Sequence, residues 1–252
     1  MLPRIWIFDT YSICLIVGVL CCFIVLYSYF KKIGVKKGYM YDVFILGSFT
    51  ILFGILSATL FQYVFDLLNG VNEFGAMTFY GGLIGGVIFF IVFYQLLIYK
   101  KYKEYPLMTI VIIAPACITV AHAFGRIGCF CDGCCYGIET DSFLGVKFPD
   151  LPNKVYPTQL FEAFFLGLLS VPLYLLAVKK RSIYTMPIYT LTYGVWRFMI
   201  EFIRGDERGV VVFGLHPAQI ISILLVICGI ILLIVFIKYR NRWNYGNISD
   251  NS

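Results

Sequence analysis

Seven apolar stretches, each about as long as a membrane is thick, constrain what this chain can become. They run over residues 11–30, 43–68, 77–99, 107–124, 158–178, 184–203 and 218–237. A helix rises about 1.5 Å per residue, so roughly 20 apolar residues cross a hydrocarbon core. The composition agrees: 60% of the 252 residues are hydrophobic and only 13% are charged, too apolar for a water-soluble domain of this length. The fold class read from this pattern is all-α integral membrane, with seven transmembrane helices. No polar linker separates a second domain and no internal repeat is visible. Residues 1–252 therefore read as a single multi-pass membrane domain.

The basic residues orient the spans. Lys31, Lys32, Lys36 and Lys37 follow the first stretch, and Lys100, Lys101 and Lys103 follow the third. Lys179, Lys180 and Arg181 follow the fifth; Lys238, Arg240 and Arg242 follow the seventh. Thirteen of the 20 basic residues thus fall on one side, six on the other, and Arg197 lies within a span. Cytoplasmic loops carry the excess of Lys and Arg, so the N-terminus is expected outside and the C-terminus in the cytoplasm. The net charge of +6 is accounted for by topology signals, and a nucleic-acid partner is excluded. The first stretch is no cleavable signal peptide: its apolar run is long, no small-residue cleavage site follows, and its basic cluster lies after it.

In this topology the polar side chains gather in the outward halves of the spans. His122, Gly125 and Arg126 end the fourth span; Gln159 and Glu162 begin the fifth; Tyr193, Arg197, Glu201 and Arg204 end the sixth; His216 begins the seventh. Ionisable groups inside a membrane are costly and mark functional sites. Interfacial snorkelling or simple pairing is the plainer explanation for any one of them, Glu162 and Arg204 above all. Arg197, Glu201 and Arg204 follow at intervals of four and three, which puts them on one helical face. That face is expected to line a polar cavity. Arginine grips phosphate through two parallel N–H bonds and stays charged in any surroundings, so Arg126 and Arg197 suggest an anionic ligand at headgroup depth. Gly81 with Gly85, and Gly82 with Gly86, are four apart, a spacing that lets helices pack closely in lipid. The same glycines let a ligand approach the backbone.

Four motifs carry a family resemblance: FYGGLIG (79–85), GRIGCFCDGCCYG (125–137), YPTQLFEA (156–163) and YGVWRFMIEFIRGD (193–206). In order, spacing and side of the membrane they resemble the motifs of the prolipoprotein diacylglyceryl transferases, seven-span enzymes of the bacterial inner membrane. The resemblance implies transfer of a diacylglyceryl group from phosphatidylglycerol to the lipobox cysteine thiol of an exported prolipoprotein, with glycerol phosphate leaving, on the outward-facing side and without a cofactor. It implies phosphate-holding roles for Arg126 and Arg197, with Glu201 orienting Arg197. Gly81, Gly82, Gly125, Gly128 and Gly137 would shape the lipid's approach together with Gln159, Glu162, Tyr193 and Arg204. The chain departs from the family pattern at several positions. Tyr80 stands where the family has histidine, and is expected to donate a hydrogen bond to lipid; its phenol, with an ordinary pKa about 10, is a poor base. Cys129 and Asp132 replace two signature asparagines, and Cys134 replaces the signature glutamate. Asp132 and His122 are alternative bases from new positions; His122 shares a face with Arg126 if the fourth helix continues that far.

Cys129, Cys131, Cys134 and Cys135 put four thiols into seven positions. On the outward side they meet oxidising conditions in many bacteria, and a Cys131–Cys134 disulfide is the first reading. Neighbouring Cys134 and Cys135 are poorly disposed to pair with each other. A four-thiolate metal cage is cramped in so short a segment, and no metal is expected. A reactive thiol that accepts or relays the lipid, and simple packing, complete the alternatives. Two rival functions accompany the transferase: a thiol-redox or metal-handling membrane protein on the same scaffold, and a non-catalytic binder of lipid or lipoprotein.

Overall fold

The computed structural model describes residues 4–5, 8–68, 79–205 and 214–238. Among them are seven α-helices, one over each apolar stretch: α1 (Thr10–Ile33), α2 (Lys37–Leu68), α3 (Phe79–Phe93), α4 (Met108–Asp132), α5 (Thr158–Lys180), α6 (Thr185–Ile200) and α7 (Pro217–Lys238). A π-helical turn, Tyr94–Tyr99, extends α3, and a 3-10 turn, Glu201–Ile203, extends α6. A two-residue antiparallel pair, β1 (Arg4–Ile5) with β2 (Phe8–Asp9), precedes α1. The α1 N-terminus is capped where the Ser12 N–H donates to Asp9 Oδ1 at 2.6 Å, filling one of the orphan donors of a first turn.

Six helical segments are long and apolar enough to cross a membrane: α1, α2, α3 with its π turn, α4, α5 and α7. Helix α6 has 16 residues and carries Thr190, Tyr193 and Arg197, so it falls short of that standard. Large apolar side chains stand exposed along the six, among them Ile24, Leu52, Leu56, Ile88, Leu168, Leu224 and Ile234. In water such a surface drives association, whereas in lipid it is the natural exterior. The fold class is thus helical and membrane-embedded as read from sequence. Helix α4 runs eight residues beyond the predicted end of the fourth span, which places Cys129 and Cys131 in its last turns rather than in a loop.

The chain divides into two compact units, residues 33–110 and residues 1–32 with 111–252. In the first, α3 packs on α2 through its glycines. A Cβ on Gly81 would stand 2.5 Å from Phe61 Cβ, and one on Gly82 would stand 3.0 Å from the Gly54 carbonyl oxygen. Close helix packing therefore accounts for both glycines within this unit. The unit's polar knot is buried: Tyr39 Oη and Tyr94 Oη lie 2.8 Å apart, and Tyr94 Oη donates to the Tyr105 carbonyl at 2.9 Å.

The second unit contains α1, most of α4, α5, α6 and α7. Leu166, Leu173 and Ala177 of α5 and Ile112, Ile113 and Ala116 of α4 are buried within it. Thr185 Oγ1 donates to the Ile112 carbonyl at 2.8 Å, tying the start of α6 to α4. Helices α6 and α7 interlock at two glycines. A Cβ on Gly194 would meet Val226 Cγ2 at 2.7 Å, and one on Gly229 would meet Thr190 Oγ1 at 2.7 Å. Gly194→Val is therefore expected to destabilise the protein by about 1–3 kcal/mol through overpacking, read as a lowered Tm in detergent. An unchanged melting curve would show that α6 and α7 do not meet this closely.

Candidate functional site

The last turns of α4, the first turns of α5 and the end of α6 bring their charged residues to one place. Helical periodicity is the cause. His122 and Arg126 are four apart on α4, Tyr189, Tyr193 and Arg197 are spaced by four on α6, and each set shares a face. Glu162, on the second turn of α5, stands at the centre and is 1% exposed. Tyr193 Oη donates to Glu162 Oε1 at 2.8 Å, Arg126 Nε lies 2.9 Å from Glu162 Oε2, and His122 Nε2 lies 3.9 Å from Oε1. The Tyr193 ring meets the His122 ring edge-on at 5.3 Å and stacks on Tyr189 at 5.7 Å.

The Arg126 contact is an ion pair without hydrogen-bond alignment: Nε is buried at ion-pair distance yet finds no well-aligned acceptor. Among the described residues Glu162 is the one carboxylate paired with this guanidinium. The pair uses Nε, so the terminal fork is left for another anion. Arg197, 9% exposed, pairs with Glu201 one helical turn on, Nη1 to Oε2 at 2.8 Å. This is the orienting contact expected from their spacing. A buried and a part-buried arginine, each paired with a buried carboxylate, keep the site close to neutral, the condition under which charge survives in a low-dielectric interior.

Arg204 departs from the expectation that it shares a face with Arg197 and Glu201. The α-helix ends at Ile200, the 3-10 turn ends at Ile203, and Arg204 is extended (φ −81°, ψ 139°). Its backbone bridges Gly137 instead. That crossing explains Gly137: a Cβ there would stand 2.6 Å from the Ile203 carbonyl and 2.9 Å from Thr158 Cγ2. Gly128 likewise seats α4 against α1, where a Cβ would meet Tyr11 Cδ2 at 3.0 Å. Gly125 has only an ordinary contact, Leu15 at 3.8 Å.

The segment after α4 is fastened to the start of α5. Thr158 Oγ1 donates to the Cys135 carbonyl at 2.8 Å, and Gln159 Nε2 donates to the Cys134 carbonyl. Phe148, buried, packs on Phe130 and Tyr136. Cys129, Cys134 and Cys135 converge, their sulfurs all within 4.8 Å of one another. Cys131 is not part of this group and lies beside Cys14 of α1. The expected Cys131–Cys134 pair is thus not the one the fold brings together; two residues apart on a helix, Cys129 and Cys131 must face different ways. The adjacent thiols of Cys129 and Cys134, then the positive potential of Arg204 and Arg126, hold the Cys135 thiol below its ordinary pKa. The Cys134 thiol donates to the Cys129 carbonyl at 3.6 Å, and the neighbouring Cys129 and Cys135 hold its pKa above the ordinary value.

Asp132 is exposed at the end of α4, and no ion pair or hydrogen bond ties it to Glu162 or Arg126. The side chain of Tyr80 lies outside the described residues. Gly81 and Gly82 belong to the unit of residues 33–110. His216 donates its N–H to Gln219 Oε1 at 3.0 Å, while its Nδ1 is buried without a partner. Sequence reasoning passed over Tyr189 and Thr158 as site residues. Tyr189 was legible from its place one turn before Tyr193; Thr158, whose work is to hold a carbonyl, left no signal.

Comparison with known proteins gives one family. A sequence model of the prolipoprotein diacylglyceryl transferases matches residues 4–235. A phosphatidylglycerol–prolipoprotein diacylglyceryl transferase of Clostridium tetani is 32% identical over 233 residues, covering 87% of this chain and 90% of that protein. Phosphatidylglycerol–prolipoprotein diacylglyceryl transferase 2 of Clostridium perfringens is 33% identical over 238 residues, covering 88% and 89%. A Francisella tularensis subsp. mediasiatica protein with the Clostridium tetani protein's name is 39% identical over 178 residues, covering 67% and 63%.

Proposed function

The chain belongs to the prolipoprotein diacylglyceryl transferase family, and from that premise we propose that the Glu162 cluster transfers a diacylglyceryl group from phosphatidylglycerol to the lipobox cysteine of an exported prolipoprotein. The observation that carries this reading is a part-buried Arg126 whose ion pair with the buried Glu162 uses Nε and leaves the terminal fork for a phosphate.

The chemistry follows from the bonds that must change. A new carbon–sulfur bond forms at the glyceryl carbon that carries the phosphate ester. The carbon–oxygen bond to that phosphate breaks, and glycerol phosphate leaves with the electron pair. The thiol loses its proton, because the thiolate is the nucleophile. Arg126 and Arg197 bind the phosphate and stabilise the charge that grows on it as the bond breaks. Fixed cations in a site shielded from water do this without reorganising, and removing one such donor typically costs roughly 10²–10³-fold in rate. His122 receives the thiol proton, and Glu162, 3.9 Å from its Nε2, stabilises the imidazolium that forms. Tyr193, which donates to Glu162 Oε1, fixes the carboxylate. Glu201 fixes Arg197. Gly137 admits the crossing strand that closes the site, and Tyr80 would donate a hydrogen bond to the lipid.

The membrane arrangement is part of the same proposal. Residues 1–252 act as one multi-pass domain of the bacterial inner membrane. Helix α6, lengthened by its 3-10 turn, completes seven spans, with the N-terminus outside and the C-terminus in the cytoplasm. The distribution of Lys and Arg supports this orientation, and it puts the Glu162 cluster at the outer leaflet, where lipid and an emerging polypeptide both arrive. Purified protein incubated with phosphatidylglycerol vesicles and a lipobox peptide should add one diacylglyceryl mass to the peptide. A peptide with serine for that cysteine should stay unmodified. Equal modification of the serine peptide would overturn the assignment of the acceptor atom.

A further inference from the structure

The transferase reading leaves three thiols without a task. Cys129, on the last turns of α4, and Cys134 and Cys135, beyond its end, place their sulfurs within 4.8 Å of one another. We propose that Cys129, Cys134 and Cys135 form a binding site for a thiophilic d¹⁰ metal ion, best matched by cuprous ion held by three thiolates. The proposal stands independently of the transferase reading.

Geometry supports it first. Sulfurs bound at about 2.3 Å to one ion stand about 3.8–4.0 Å apart in tetrahedral or trigonal arrangement. A trio already inside 4.8 Å needs only small side-chain rotations to close on an ion. The backbone is set in advance. The Cys134 N–H donates to the Cys129 carbonyl at 3.1 Å, closing the turn after α4. Gly133 takes φ +79°, and Cys135 itself takes φ +66°. A side chain other than glycine is uncommon in that region, and its strain needs compensation from its surroundings. Here the α5 N-terminus supplies it, with Thr158 and Gln159 gripping the carbonyls of Cys135 and Cys134. The turn is thereby held in the one form that points Cys135 at the other two thiols.

Ligand chemistry then selects the ion. Thiolates favour cuprous and zinc ions over magnesium, calcium and manganese, which take oxygen ligands. Among the described residues no fourth His, Cys, Asp or Glu joins the trio. Structural zinc sites are usually closed by four protein ligands, whereas cuprous ion is content with three. Three thiolates around a monovalent ion carry a net charge of about −2. Arg126 and Arg204 both act electrostatically on Cys135, which lessens the cost of gathering negative charge there. The expectation from sequence that four thiols were too crowded for a cage also changes, because Cys131 lies outside the group and three remain.

The test uses full-length protein, purified in detergent and reduced. It is titrated with cuprous ion against a chromogenic chelator, and separately with zinc and cobalt(II). The expected result is one equivalent of cuprous ion per chain and a sulfur-to-metal charge-transfer band. Cys129→Ser, Cys134→Ser and Cys135→Ser should each weaken binding at least ten-fold, and Cys131→Ser should leave it unchanged. One equivalent of zinc, with a four-coordinate cobalt spectrum and the same dependence on the three cysteines, would also uphold the site, with solvent as fourth ligand. Should wild-type protein retain no ion at one equivalent, or should binding survive all three substitutions, the proposal fails. It fails equally if intact mass and peptide mapping of unreduced protein show a disulfide joining any two of the three.

Discussion

Glu162→Ala is expected to abolish transfer and to destabilise the folded protein by about 3–5 kcal/mol, the cost of breaking a buried ion pair from one side. Glu162 is 1% exposed, accepts from Tyr193 Oη and pairs with Arg126. Its removal leaves a guanidinium buried without its carboxylate and a phenol without its acceptor, two separate penalties. Glu162→Gln separates them. The amide oxygen still accepts from Tyr193, so much of the stability should return. The charge that holds Arg126 and supports His122 is gone, so activity should not. Melting curves in detergent and turnover on the same preparations check both parts. Wild-type stability and turnover in Glu162→Ala would show that the carboxylate merely fills space.

Arg197→Ala should lower turnover by roughly 10²–10³-fold, as expected for the loss of one preorganised charge at a developing anion. Arg197 is held by Glu201 one turn away, and lysine reaches the same carboxylate with a point charge in place of the planar fork. Arg197→Lys should therefore regain most of the lost stability while its turnover stays well below wild type. Full activity in the lysine variant would mean that phosphate meets only a positive potential there and no two-point grip.

Much of this was legible in the sequence because membrane helices write their signature in single residues. Every apolar stretch became a helix, and charged residues that interrupt three of those stretches came together in one cluster. Arg126, Glu162, Tyr193, Arg197 and Glu201 were all identifiable from their cost in lipid. What escaped was order among them. Glu162 read as one of several residues shaping the lipid's approach, yet it is the hub of the contacts, because centrality depends on how three helices converge and no single helix records that. Arg204 was misplaced because a helical wheel assumes that the helix continues, and α6 tightens into a 3-10 turn and stops. The thiols were misassigned for the opposite reason: α4 runs on to Asp132. Cys129 and Cys131 are therefore fixed on different sides of a helix instead of sharing a pliable loop.

The most direct test of the central claim follows the fate of phosphatidylglycerol itself. Lipid labelled in the diacylglyceryl group and in the headgroup would be incubated with a lipobox peptide and either wild-type protein or Arg126→Ala. Only variant protein shown to be folded by its melting curve enters the comparison. The expected result is that wild type yields modified peptide and glycerol phosphate in equal amounts, and that Arg126→Ala yields neither above about a hundredth of that rate. Equal turnover by Arg126→Ala, or wild-type protein that binds the lipid and leaves the peptide unmodified, would contradict it.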